Sequence, residues 1–338
     1  MKRQTIIFSA SVSVLLIIYV LNIFMGSISI PMQEVWDVLC GNEATNPTWE
    51  YIILESRIPQ ATTALLCGMA LAVSGLMLQT VFRNPLAGPD ILGINSGASL
   101  GVAFVTLFFS GTLSAGGLLF SGYLAILIAA FAGSIAVMGL ILLIARLVKN
   151  NIMLLIAGIM IGYVASSAIS LLNYFSTEEG VQNYVLWGMG NFSGVSVHKM
   201  PLFATLTVIG IISAVLLIKP LNLLLLGEKY ATNIGLNVRR TRYQLLLVTG
   251  LLSATVTAYC GPIAFIGIAV PHIARMIMKN DNHRALLPLT LVCGGTVALL
   301  CNLISTLPSG SGLIPLNALT PLFGAPVVIY VIIKGRHH

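Results

Sequence analysis

Stretches of about twenty residues with hardly a charged side chain recur from one end of this sequence to the other. They are Thr5–Met25, Ile58–Val81, Gly93–Ser110, Leu118–Arg146, Ile152–Asn173, His198–Ile218, Tyr243–Cys260, Pro262–Lys279, Ala285–Thr306 and Leu313–Ile333. A helix needs roughly 20 apolar residues to cross the hydrocarbon core, and within lipid it satisfies its own backbone hydrogen bonds. Ten such runs predict an all-α polytopic membrane protein, with residues 1–338 forming a single transmembrane domain. The composition agrees: 57% of residues are hydrophobic and 8% charged, where a soluble domain carries about 25% charged residues. The first run exceeds the roughly 7–15 residues of a signal-peptide core and reads as a membrane helix.

An even number of crossings puts both termini on one side. Of 17 Lys and Arg residues, all but Arg57 and Lys199 fall on that side, whereas Glu34, Asp37, Glu43, Glu50, Glu55, Glu178 and Glu179 fall on the other. This asymmetry predicts cytoplasmic termini, and it explains the basic excess as membrane orientation rather than nucleic-acid binding. The five cysteines lack CxxC or zinc spacing and read as small apolar residues.

No Asp, Glu, Lys or Arg lies near the middle of any run as delimited. Ion-coupled secondary transporters, the alternative class, usually carry such residues as coupling sites. The chain also lacks the GxxxxGK[ST] phosphate loop, a nucleophile–base pair and an HExxH sequence. It reads as a transport subunit without catalytic, cofactor or metal residues, so any ATP and Mg are used by a separate ATPase.

Three segments carry the functional expectations. Arg83–Gly101 is broken by Pro85 and Pro89, then places Gly93, Gly97 and Gly101 on one helical face. It is expected as a cytoplasmic elbow, because backbone groups freed by prolines cannot face lipid. Lys219–Arg242 is too long for a tight connector and predicts two short surface helices, Pro220–Leu226 and Glu228–Ile234, as a cytoplasmic coupling segment; a helix resting on lipid is the alternative. In the fifth run Gly158, Gly162, Ser166 and Ser170 form a small, increasingly polar ridge, suited to a smooth path wall or to close helix packing. Among lesser features, Ser176–Val195 suggests a short outer helix and Ser305–Asn317 an irregular turn. Asp281, His283 and Arg284 suggest a polar cap, His272 a local packing feature, and His337 and His338 the natural end.

The phrases NPLAGPDILG at 84–93, GPIAFIGIAVPHIAR at 261–275 and DNHRALLP at 281–288 are specific. With LGEKYATNIGLNVRRTR at 226–242 and FGAPVVIYVIIKGR at 323–336, they resemble, in order along the chain, the FecCD-type permease subunits of bacterial ABC importers for ferric siderophores, haem and vitamin B12. The resemblance implies the type II importer permease architecture and a place in the bacterial cytoplasmic (inner) membrane. Its implied partners are a second copy of the chain, two cytoplasmic ABC ATPase subunits and an external substrate-binding protein. It further implies that Glu228, Ala231, Gly235 and Arg239 belong to the ATPase-docking surface. Asn95 and Ser96 match positions near the cytoplasmic gate, the fifth helix lines the path, and Arg57 matches an external arginine that meets acidic residues of the binding protein. Gln60, three residues beyond Arg57, and the arginine-free turn Ser305–Leu307 depart from some relatives.

Overall fold

The computed structural model describes residues 2–108, 112–115, 118–148, 151–307 and 314–335. In chain order the helices begin with α1 (Lys2–Phe24), α2 (Met32–Leu39) and α3 (Pro47–Tyr51), and a π-helical stretch, Ile52–Arg57, leads into α4 (Ile58–Phe82). A 3-10 turn, Pro89–Leu92, precedes α5 (Ile94–Ala103), which is extended by π-helical Phe104–Phe108. Then follow α6 (Tyr123–Leu147), α7 (Asn151–Phe175), α8 (Glu178–Gly188), α9 (Met200–Leu216), α10 (Ile218–Leu225) and α11 (Glu228–Asn233). The last four are α12 (Val238–Cys260), α13 (Ile266–Met278), α14 (His283–Ser305) and α15 (Leu316–Gly335).

Each expected apolar run coincides with one of these helices. By length and composition 6 can cross a membrane alone, and α9 with α10 makes a seventh, bent by 49°. The helices at 94–108, 266–278 and 316–331 are shorter. Two small strands, β1 (Thr112–Ala115) and β2 (Leu118–Ser121), pair antiparallel with Thr112 opposite Ser121, an addition to the all-helical expectation. The run expected from Leu118 therefore becomes helical only at Tyr123, after Gly122 turns at φ +62°. The outer helix expected in Ser176–Val195 is α8, capped by the Thr177 side chain. Residues 308–313 of the Ser305–Asn317 turn, and His337 and His338, lie outside the described residues.

The core is organised on α4, which packs against α14, α13, α12 and α9. Its glycines permit this. A Cβ on Gly68 would lie 2.1 Å from the Gly294 carbonyl oxygen, and one on Gly75 only 1.6 Å from that of Gly267. Without hydrophobic driving force inside lipid, such close backbone approach is a principal source of helix association. The Gly97 and Gly101 face of α5 is used likewise, meeting Gly133 and Ala129 of α6. Carboxamides add interhelical bonds: Asn302 Nδ2 donates to Asn22 Oδ1 at 2.8 Å, and Gln60 Nε2 to Asn302 Oδ1 at 3.0 Å. Cys67, Cys260, Cys293 and Cys301 are buried free thiols, in keeping with their reading as small apolar residues.

The elbow departs from its expected place at the membrane surface. Pro85 stays near the end of α4, where its carbonyl accepts from His272 Nε2 at 2.7 Å. From there the chain climbs along α13, with Gly88 against Ile268 and Pro89 against Gly267. Gly267 lies about 17 Å along α13 from Met278, counting 1.5 Å per residue, and beside Leu71, halfway along α4. The Asp90 segment therefore sits near mid-depth. Irregular backbone is tolerated at that level because protein, not lipid, covers it: Ala87, Gly88, Pro89 and Leu92 are all buried. Asp90, within the stretch expected at the cytoplasmic surface, is instead an intramembrane carboxyl group on the cavity wall. A second break, 261–265, lies opposite, with Phe265 at φ +68° just before α13.

Candidate translocation cavity and coupling surface

The two breaks and α7 enclose a cavity of about 390 Å³, lined by Asp90, Asn95, Ser96, Ser99, Gly162, Ser166, Ile169, Tyr184, Pro262, Ala264 and Asn317. Its polar wall is built from α5, which starts here because Gly93 can adopt φ +75°. Asn95 Nδ2 donates to Asp90 Oδ1. Asn95 Oδ1 accepts from Thr257 Oγ1 at 2.7 Å and Ser253 Oγ at 3.2 Å on α12. Asn317 of α15 closes the far side, donating to the carbonyls of Gly188 and Pro262. Asn95 is thus a buried anchor, while Ser96 and Ser99 are half-buried on the cavity wall.

The ridge on α7 divides in two. Gly158 is a packing residue, since a Cβ there would lie 2.7 Å from the carbonyl oxygen of Ile91 in the elbow. Gly162, opposite Ser96 Oγ, and exposed Ser166 line the cavity. Ser170 is exposed and donates to the Ser166 carbonyl at 3.0 Å. The cavity brings together Asn95, Ser96, Gly162 and Ser166; Gly158 and Ser170 lie outside it.

The coupling segment forms the two expected short helices, α10 and α11. Gly227, at φ +110°, separates them, and Gly235, at φ +96°, ends the second. A Cβ on Gly235 would meet nothing within 4 Å, so this exposed turn has room beside it. Glu228 is paired with Arg242 at 2.9 Å, fixing α11 to the start of α12. Arg239 is exposed and donates to the Arg146 carbonyl at 3.2 Å. Ala231 is buried and seats α11 against the chain.

Arg83 was not singled out from sequence, yet its guanidinium donates at 3.2 Å to the carbonyls of Leu224 and Leu225, capping the end of α10. Its left-handed backbone, φ +48°, ends α4 there. The cap expected from Asp281, His283 and Arg284 is supplied instead by Asn282, whose side chain accepts from the Arg284 N–H. His272 is the local bonding feature expected. The described residues hold no cluster of three or more His, Cys, Asp or Glu able to hold a metal.

Arg57 is engaged within the chain. Only 7% exposed, it donates from Nη1 to the carbonyls of Ile23 and Phe24 at 2.9 and 3.0 Å, and from Nη2 to that of Ile28 at 2.5 Å. These carbonyls lie at the end of α1 and just beyond it, where orphan acceptors need donors. The guanidinium thereby locks α1 to α4. On the same outer side, the Thr45 hydroxyl and backbone N–H hold the Glu34 carboxyl below its ordinary range.

The site is a polar cavity enclosed by broken helices within a helical membrane fold. Residues 14–334 match the model of the FecCD transport family, and the chain belongs to that family. It is 34% identical over 315 residues to the hemin transport system permease protein of Yersinia pestis, covering 92% of this chain and 90% of that one. It is 33% identical over 305 residues to the vitamin B12 import system permease protein of Klebsiella pneumoniae subsp. pneumoniae, covering 88% and 89%. A solved structure described as the inward-facing conformation of a metal-chelate type ABC transporter matches with a TM-score of 0.84 at 29% identity, over 97% of this chain and 99% of the other. The protein is accordingly a multi-pass ABC permease of the bacterial inner membrane, a transport subunit and not an enzyme.

Proposed function

We propose that the chain imports a bulky metal chelate, a ferric siderophore or related iron complex, by alternating access driven by ATP hydrolysed on separate subunits. In this reading two copies form the path, two ABC ATPases dock at 219–242 around Gly235, Glu228 and Arg239, and an external binding protein delivers the cargo. The observation that carries it is the attachment of α10 to the end of α4 through Arg83, which leads directly into the elbow and its cavity. A force on the lever reaches the cavity wall through a short run of backbone, and two-state rearrangement of such packed elements is the usual basis of switching.

A second reading, import of haem or vitamin B12, is favoured by the names of the two relatives. The experiment is uptake of labelled ferric siderophore, haem and vitamin B12 in cells with and without the gene, with an ATPase-dead partner strain as control. Loss of one uptake in both strains supports the ATP-driven reading and selects the cargo. Uptake that survives the dead ATPase but collapses with an uncoupler sinks it in favour of ion coupling through Asp90.

A further inference from the structure

We propose that His283 is a positioning residue that carries motion of the coupling segment to α4 through its two ring nitrogens. The inference rests on the ATP-driven reading above and deepens it. His283 opens α14 and is only 1% exposed. On one side its ring Nδ1 lies 3.0 Å from Asn222 Oδ1 of α10, and its own backbone N–H donates to the same oxygen at 2.8 Å. On the other, Nε2 lies 2.9 Å from Thr80 Oγ1 of α4. Asn222 Nδ2 donates to Asn282 Oδ1 at 3.0 Å, joining α10 to the turn before α14.

Donor and acceptor counting fixes the ring. A backbone N–H can only donate, so the Asn222 atom facing it is the carboxamide oxygen, and Nδ1 beside that oxygen must carry a proton. In the neutral ring Nε2 is then an acceptor, and the Thr80 hydroxyl is its donor. That hydroxyl also lies 2.9 Å from the Leu76 carbonyl, but this carbonyl already receives the helical bond from the Thr80 N–H, so turning toward His283 leaves no acceptor unsatisfied. One neutral tautomer therefore satisfies every partner across α10, α14 and α4. Arg83, three residues beyond Thr80, joins α4 to α10 a second time.

The test uses the full complex of this chain with its ATPase, carrying Ser166→Cys in the cavity wall as a reporter for N-ethylmaleimide. The expected result is that ATP changes the labelling rate, that Thr80→Val shrinks the change about fivefold, the weight of one hydrogen bond of about 1 kcal/mol, and that Thr80→Ser restores it. ATPase association is expected to be equal in all three. An undiminished response in Thr80→Val overturns the proposal, as does a diminished response explained by lost ATPase association. If the parent complex shows no ATP response, the ATP-driven reading fails, and nitrogen NMR of labelled histidine then decides the contact alone. A neutral Nδ1–H ring whose Nε2 resonance moves in Thr80→Val supports it; an Nε2–H tautomer overturns it.

Discussion

Helices α4 and α7 have the same length, 25 residues, and both are strongly apolar, yet they live differently. The best membrane window in the span containing α4 is 83% buried within the chain, and that of α7 only 17%. The difference comes from what their small residues meet. On α4, Gly68 and Gly75 touch backbone of α14 and α13; on α7, only Gly158 is so engaged, and Gly162 and Ser166 open onto the cavity. The same small-residue spacing thus builds a core in one helix and a wall in the other, and only the partner decides which.

The comparison breaks most visibly at Gly75. Gly75→Val forces a side chain into the Gly267 carbonyl, and more than about 4 kcal/mol of stability is expected to be lost, read as collapse of folded protein in detergent; a normal yield and melting curve would remove α4 from the centre of the fold. Arg57→Ala strips donors from the buried carbonyl of Ile23 and the part-buried ones of Phe24 and Ile28 and is expected to cost about 3 kcal/mol, seen as a lowered melting temperature. Unchanged melting with weakened binding-protein affinity would place Arg57 on the outer docking surface. Gly235→Leu leaves packing untouched but strains a left-handed turn by about 1–2 kcal/mol. Here ATPase association and uptake are expected to fall together, and if neither changes the turn is not a docking point. On α7, Gly162→Ala places its Cβ 3.4 Å from Ser96 Oγ, an ordinary contact, and Ser170→Ala removes an exposed bond. Both are expected to stay within about 0.5 kcal/mol of the parent in unfolding measurements, so a large loss at either would mean that α7 is packed as tightly as α4.

Much of this was legible in advance. Apolar run length located every long helix, and Gly227 and Gly235 divided the coupling segment within a residue or two of the observed ends. Depth was not legible. Pro85 and Pro89 announced a break, but whether it stayed at the surface depended on Gly267 and Ile268, nearly two hundred residues away, offering room for it. The burial of Arg57 was hidden for the same reason: a charge beside an apolar run looks exposed until the unsatisfied carbonyls of another helix are known. Ala231 and His283 sat among polar neighbours, and no local pattern distinguishes a buried member of such a stretch from an exposed one.

The inward course of the elbow has an electrical consequence. A charge held near mid-depth stands within the transmembrane field, not outside it, and feels about half the potential. A rearrangement that opened an ionised Asp90 to one aqueous side would be biased by about 1 kcal/mol for every 100 mV. Were Asp90 ionised, the membrane voltage would act on the cavity wall itself.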